Sequence, residues 1–261
     1  MDVINPHPPS PNQALLEFVN VTVFCGTKKV LDSLSITVQE GENIAILGPN
    51  GAGKSSFIRT ILRELYPVAD TAPVIFRIHG KDVWDVFTLR STIGVVSNDL
   101  QYTFTRPLNG REVILSGFFS SIGLFNRTVT PEMEMKADEI LAFLEIEHLK
   151  DRRMTAMSSG ESRRLLIGRA LVHNPKVLIL DEPTNSLDLH ALHTFRDTLR
   201  KIARSGTGII LVTHNLHDII PEITRVVLMK DGRFCGDGPK QEMLSDAKIG
   251  DLFCVPLHVR E

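Results

Sequence analysis

Gly48 and the run Gly53-Lys54-Ser55 are separated by four residues, in a stretch that reads GPNGAGKSS. That spacing suits a loop wrapped around phosphate. Glycines let backbone N–H groups turn inward where a Cβ would obstruct them. Lys54 brings a positive charge between the β- and γ-phosphates, and Ser55 offers a hydroxyl to Mg²⁺. Gly48, Pro49, Asn50, Gly51, Ala52, Gly53, Lys54, Ser55 and Ser56 are therefore the candidate phosphate contacts. A helix starting here would point its positive dipole end at the anion. Asp181 and Glu182 end a second stretch, KVLILDEPT, after four apolar residues. Carboxylates at the carboxyl end of a buried strand sit where ligands of α/β sheets bind. Asp181 is placed to hold Mg²⁺ through water, and Glu182 to orient or deprotonate the attacking water. His214 closes a third apolar run, GIILVTH. On the residues alone it reads equally as a γ-phosphate contact and as a structural strand end.

These residues need a scaffold, and the apolar patterning supplies one. ALLEFVNVTVF and LDSLSITVQ alternate as half-exposed antiparallel strands do. ENIAILG is a short continuous apolar run, suited to a strand buried on both faces. It leads into the glycine-rich loop and then SFIRTILREL, which has helical periodicity up to Pro67. Further apolar runs at PVIFRIHG, TIGVVS, KVLILDEP, TGIILVTH and RVVLMKDGRF are separated by helical stretches. In one of these, Leu192, Phe195, Leu199 and Ile202 line one face. Strands alternating with helices predict a phosphate-loop NTPase core of the α/β class, with a mixed or parallel sheet and antiparallel strands at its N-terminal side. From about residue 99 to 172 helix-like segments replace that rhythm, which predicts a helical subdomain inserted in the core. Residues 1–12, with four prolines, read as a mobile tail, and 13–261 as one nucleotide-binding domain.

Composition narrows the function classes. A net charge of −2 gives no electrostatic footprint for nucleic acid. No apolar run reaches the ~18 residues that span a bilayer, and the first residues lack a signal-peptide shape, so a cytoplasmic protein is expected. Cys25, Cys235 and Cys254 lack metal-ligand spacing and read as reduced thiols acting as small apolar residues.

The order of these motifs resembles the nucleotide-binding subunit of ATP-binding cassette (ABC) proteins, over roughly residues 14–255. The family-specific segment is a Leu-Ser-Gly-Gly-Gln signature, matched here by MSSGE, Met157 to Glu161, which runs directly into SRRLLIGRALVHNPKVLILDEPTNSLD. The resemblance implies ATP and Mg²⁺ as cofactors, and a head-to-tail dimer with two sandwiched ATPs. In it Ser158 and Gly160 would donate to a γ-phosphate across the interface, NSLD up to Asp188 would form the dimer-contact loop, and His214 would be the switch histidine. Ser158 begins a helix, so the dipole argument applies there independently. The family's glutamine usually follows IGVVS directly. This chain has Asn98 there and Gln101 three residues on, and either amide is a candidate for Mg²⁺ and the attacking water. An adenine-stacking aromatic is implied before the first core strand, and Phe24 supplies a ring where strict spacing gives Cys25. Ser159 and Glu161 depart from the signature, and Glu161 needs a neutralising partner such as Arg163 or Arg164.

The resemblance is importer-like, because the Gly- and Glu-rich stretch that exporters carry before the signature is missing from LKDRRMTAMSSGE. The stretch GRFCGDGPKQEMLSDAKIGDLFCVPLHV resembles the short ending of metal-chelate and siderophore uptake cassettes, while VILSGFFSSIGLF and RELYP resemble stand-alone cassettes of the molybdate-transport accessory or photorepair type. The implied function is an ATPase subunit powering an uptake transporter, peripheral at the inner membrane face, with integral-membrane permease partners docking on the apolar helical insert. The alternative is a soluble ABC ATPase that remodels a protein or nucleic-acid complex.

Overall fold

The computed structural model describes residues 14–69, 73–97, 103–104 and 107–255. Residues 1–12, read as a tail, and the amide candidates Asn98 and Gln101 lie outside them. The described residues fall into two compact units, one of residues 90–207 and one of residues 14–89 with 208–255.

In the second unit, β1 (Ala14–Cys25) pairs antiparallel with β2 (Lys28–Gln39) on one side and with β4 (Ile75–Ile78) on the other. β4 is the run PVIFRIHG, so this strand joins the antiparallel layer instead of the parallel core. β3 (Asn43–Leu47) lies between two parallel neighbours, β7 (Gly208–Thr213) and β8 (Arg225–Lys230). Residues 44–47 and all of β7 are buried, as a strand covered on both faces requires. The run RVVLMKDGRF folds as a hairpin: Asp231 and Gly232 take positive φ values of 50° and 75°, and β9 (Arg233–Pro239) returns antiparallel to β8. Asp-Gly is a preferred pair for such a turn.

Helix α1 (Lys54–Ile61) buries Phe57, Ile58 and Ile61. The Phe57 ring meets Phe18 and Phe234 edge-on, at 5.8 and 5.6 Å between centroids. The periodicity toward Pro67 outlasts the helix, which stops at Ile61. Arg63 adopts φ +60°, sends its guanidinium over the Phe76 ring at 3.5 Å and donates to the Phe76 carbonyl at 3.0 Å. A tertiary anchor thus overrides local helical preference. Helix α2 (Val86–Thr92) leads into the first unit.

There β5 (Ile93–Ser97) and β6 (Val177–Asp181) run parallel, register-matched from Ile93 with Val177 to Ser97 with Asp181. Helices α3 (Gly110–Leu115), α4 (Pro131–Phe143), α5 (Ser159–Leu171) and α6 (Leu189–Arg204) complete it. In α6, Phe195, Leu199 and Ile202 are buried and Leu192 is half-buried, so the apolar face read from spacing packs inward. In the helical insert the aliphatic run of α3 is core: Val113, Ile114 and Leu115 are buried, as is Phe104, while Ile122 and Phe125 stay exposed. Two short helices, α7 (Lys240–Met243) and α8 (Asp246–Phe253), belong to the second unit. All three cysteines are free but exposed, which corrects their reading as small apolar residues. No helix among the described residues is long and apolar enough to cross a membrane.

Candidate nucleotide site

β3 ends at Leu47 in register with Thr213, and the Gly48 N–H donates to the Thr213 carbonyl at 3.2 Å. The parallel pairing therefore delivers the glycine loop and His214 to the same carboxyl edge. Gly48 cannot carry a side chain, since a Cβ there would lie 2.1 Å from the Met229 carbonyl oxygen. Gly48→Ala is accordingly expected to destabilise the fold by about 1–3 kcal/mol through overpacking. A urea midpoint equal to the parent's would contradict that contact.

Gly53 caps α1 with φ 105° and no side-chain hydrogen bond. The start of α1 therefore carries no side-chain cap, and a helix start is where anions bind. Lys54 is only 5% exposed, and its Nζ donates to the Gly48 and Pro49 carbonyls at 2.9 and 3.0 Å. The ammonium is folded across the loop it is meant to serve. The hairpin turn between β8 and β9 braces this loop, because the Gly232 N–H donates to the Ala52 carbonyl at 2.8 Å. Sequence reasoning passed over that brace.

His214 is half-buried at the head of a tightly bonded turn. The Thr213 hydroxyl donates to buried Asp218 and accepts the Asn215 N–H at 3.0 Å, while Asn215 Nδ2 reaches the other Asp218 oxygen at 3.2 Å. The Asp218 carboxylate thereby fixes the peptide that carries His214. This residue was missed; its signal is an acidic side chain four residues beyond the histidine. Phe24, 39% exposed, sits opposite Lys29 near the end of β1. A ring standing free of the core leaves a face available for stacking.

In the other unit Asp181 and Glu182 leave β6 together. Glu182 holds φ +46°, uncommon for a residue with a side chain, and its carboxylate accepts the Asn185 Nδ2 at 2.9 Å. Strain of this kind persists only where surrounding structure fixes it. The signature segment begins α5, a helix of 13 residues capped by Ser158. Ser158 and Glu161 form a reciprocal box: the Glu161 N–H donates to Ser158 Oγ at 3.2 Å, and the Ser158 N–H donates to the Glu161 carboxylate at 2.7 Å. The Ser158 backbone N–H foremost holds the Glu161 carboxyl below the usual carboxylate range. The direct ion pair of Glu161 is with Arg152, at 2.9 Å, and Arg164 lies near enough to interact with it through charge. Arg163 is buried within the unit, and Arg164 makes no contact of that length with Glu161 among the described residues.

Gly160 brings α5 against α6, since a Cβ at 160 would stand 2.8 Å from the Ala191 Cβ. Asp188 caps α6, its side chain accepting the Ala191 N–H at 2.8 Å. Two capped helix starts therefore abut in this unit, with Leu189 86% exposed beside them.

Residues 31–185 match the model of the ABC transporter family. An uncharacterized ABC transporter ATP-binding protein of Bacillus subtilis, YlmA, is 35% identical over 94% of this chain and 93% of its own length. The Nod factor export ATP-binding protein I of Rhizobium meliloti is 37% identical over 90% of this chain and 67% of its length. The hemin import ATP-binding protein HmuV of Bradyrhizobium diazoefficiens is 31% identical over 92% of this chain and 88% of its length. Among solved structures, the dimeric post-hydrolysis state of the ATP-binding cassette MJ0796, bound to ADP and Pi, is 25% identical with a TM-score of 0.69, covering 86% of this chain and 98% of that one. A phosphate loop, a strand-end carboxylate pair and a capped signature helix, together with this breadth of likeness, place the chain in the ABC transporter family as an ATP-binding cassette ATPase.

Proposed function

We propose that two copies of this chain close head to tail around two ATP molecules and that hydrolysis at the paired sites powers an uptake transporter whose membrane-spanning subunits are other chains. The observation that carries the dimer is the corner built from Ser158, Gly160 and Asp188. Two capped helix starts meet where Gly160 approaches Ala191, and exposed Leu189 stands beside them. An apolar side chain that open to solvent, next to an anion-seeking surface, suits an interface that closes over phosphate. The dimeric MJ0796 cassette bound to ADP and Pi supports the same arrangement.

Within a copy, the residues from Gly48 to Ser56 hold the phosphates, Phe24 stacks on adenine, and Glu182 and His214 serve the attacking water and γ-phosphate. Ser55 and Asp181 are hard oxygen donors of the kind Mg²⁺ prefers. Among the described residues no group of three or more His, Cys, Asp or Glu side chains forms a cage. Mg²⁺ is commonly bound through one or two carboxylates and substrate phosphates. When bound, Mg²⁺ would neutralise charge on the phosphates. Asn98 and Gln101 remain the candidates for the amide that reaches it.

Uptake is favoured by the plain stretch before the signature and by the kinship to a hemin import protein. The relative named for Nod factor export marks the opposite direction as the outcome to test. Because each site needs two chains, specific ATPase activity should rise with protein concentration, toward second-order dependence well below the dimer Kd. A flat dependence would remove the sandwich from consideration. Capturing the Glu182→Gln variant with ATP from detergent-solubilised membranes then tests the transport role, since a stoichiometric integral-membrane partner is the expected companion.

A further inference from the structure

Ser159 stands where the family signature usually has glycine, and its side chain is engaged. Its Oγ donates to the Ser186 carbonyl at 3.2 Å, which ties the first residue of α5 to the loop between β6 and α6. That loop is the one that holds Glu182. Ser186 has φ +68° and Glu182 φ +46°, and Asn185 closes the turn twice. Its N–H donates to the Glu182 carbonyl at 3.4 Å, and its Nδ2 donates to the Glu182 carboxylate at 2.9 Å. One more backbone bond, from Leu187 N–H to the Thr184 carbonyl at 3.1 Å, keeps the turn compact. Packing adds a rigid fulcrum, because Gly160 rests directly on Ala191.

We propose that Ser159 is a positioning residue for hydrolysis, its hydroxyl coupling the signature helix to the carboxylate of Glu182 through Ser186 and Asn185. The inference rests on the reading of Glu182 as the carboxylate that serves the attacking water, and of residues 157–161 as the signature. In the head-to-tail dimer the signature of one copy lies on the other copy's nucleotide. The Ser159 tie therefore makes the geometry of Glu182 in one site respond to the phosphate seated on Ser158, which belongs to the other site. A glycine at this position has no side-chain donor, so the coupling is a property of this chain's own signature.

Two left-handed residues in one five-residue turn keep their shape only while outside contacts hold them. Removing the hydroxyl lets Ser186 and Asn185 relax, and Glu182 loses the hydrogen bond that aims it. Phosphate binding by Lys54 and Ser158 is untouched, so the loss should appear in kcat and not in KM.

The test is a double-mutant cycle on ATP turnover by the full chain, with ATP affinity measured in parallel by thermal shift. Ser159→Ala is expected to lower kcat about 2- to 10-fold, the worth of one hydrogen bond, with KM unchanged. Asn185→Ala should lower kcat similarly, and the double variant should be no worse than the poorer single. Ser159→Thr, which keeps the hydroxyl, should restore turnover. Additive losses at 159 and 185, an unchanged kcat in Ser159→Ala, or a Thr variant as slow as Ala would each overturn the tie. Glu182→Gln measured alongside separates the two levels of the argument. If that variant turns over at the parent rate, the reading of Glu182 fails and this inference with it; if it is inactive while 159 and 185 are additive, only the tie fails.

Discussion

Glu182→Gln is expected to slow ATP turnover by about 10²- to 10⁴-fold, the range general-base groups contribute, while leaving ATP affinity close to that of the parent. The substitution is nearly isosteric, and a Gln carbonyl can still accept the Asn185 amide hydrogen that now reaches the Glu182 carboxylate. The strained turn therefore keeps its support, and the phosphate loop, in the other unit, is not altered. What disappears is the negative charge and the proton acceptor that water needs as it attacks phosphorus. Binding without hydrolysis should also hold the two chains together. On size-exclusion chromatography the variant should elute as a dimer with ATP and as a monomer with ADP, because only the triphosphate places a γ-phosphate under Ser158 of the other copy. Turnover within about threefold of the parent would mean that another group positions the water, since a lost catalytic base costs far more than that. An ATP-independent elution volume would instead count against the sandwich.

The contrast between Glu182 and its surroundings shows where sequence reasoning stops. Phosphate chemistry fixes residue types at fixed spacing, so Gly48 to Ser56 and the Asp181-Glu182 pair are legible without coordinates. Strands β3 and β6 follow from the same text, because a continuous apolar run ending in those motifs has only one sensible place in a parallel sheet. Contacts between distant segments leave no such trace. Nothing local says that α1 ends at Ile61; the cause is Arg63 turning to the Phe76 ring. The carboxylate of Glu161 needs a cation, but whether Arg152, Arg163 or Arg164 supplies it depends on how the turn before α5 folds back. PVIFRIHG and RVVLMKDGRF are apolar enough for core strands, yet partner choice makes one an antiparallel edge and splits the other at Asp231-Gly232. Hydroxyl donors are the least legible of all. Ser159 looks like a blemish in a signature until its 3.2 Å contact with Ser186 is seen.

Lys54→Ala is expected to weaken ATP binding by roughly 10²- to 10⁴-fold. Lys54 is almost wholly buried, and its ammonium makes two hydrogen bonds to the loop carbonyls of Gly48 and Pro49. Phosphate oxygens in place of those carbonyls would exchange neutral acceptors for ionised ones, and charge-assisted bonds are about twice as strong. Two such bonds, each worth ~1.5–3 kcal/mol, correspond to the stated loss at about 1.4 kcal/mol per tenfold. The truncated side chain leaves two carbonyls on a loop whose Asn50 and Gly51 are exposed, where water can replace the ammonium. The fold should therefore survive, and thermal unfolding provides the readout. ATP at about 100 times its Kd stabilises the parent by about 2.7 kcal/mol. The same ATP concentration should leave the variant's melting temperature nearly unmoved. An equal shift in both proteins would show that the ammonium is a structural brace for the loop and that the backbone N–H groups of α1 hold the phosphates without it.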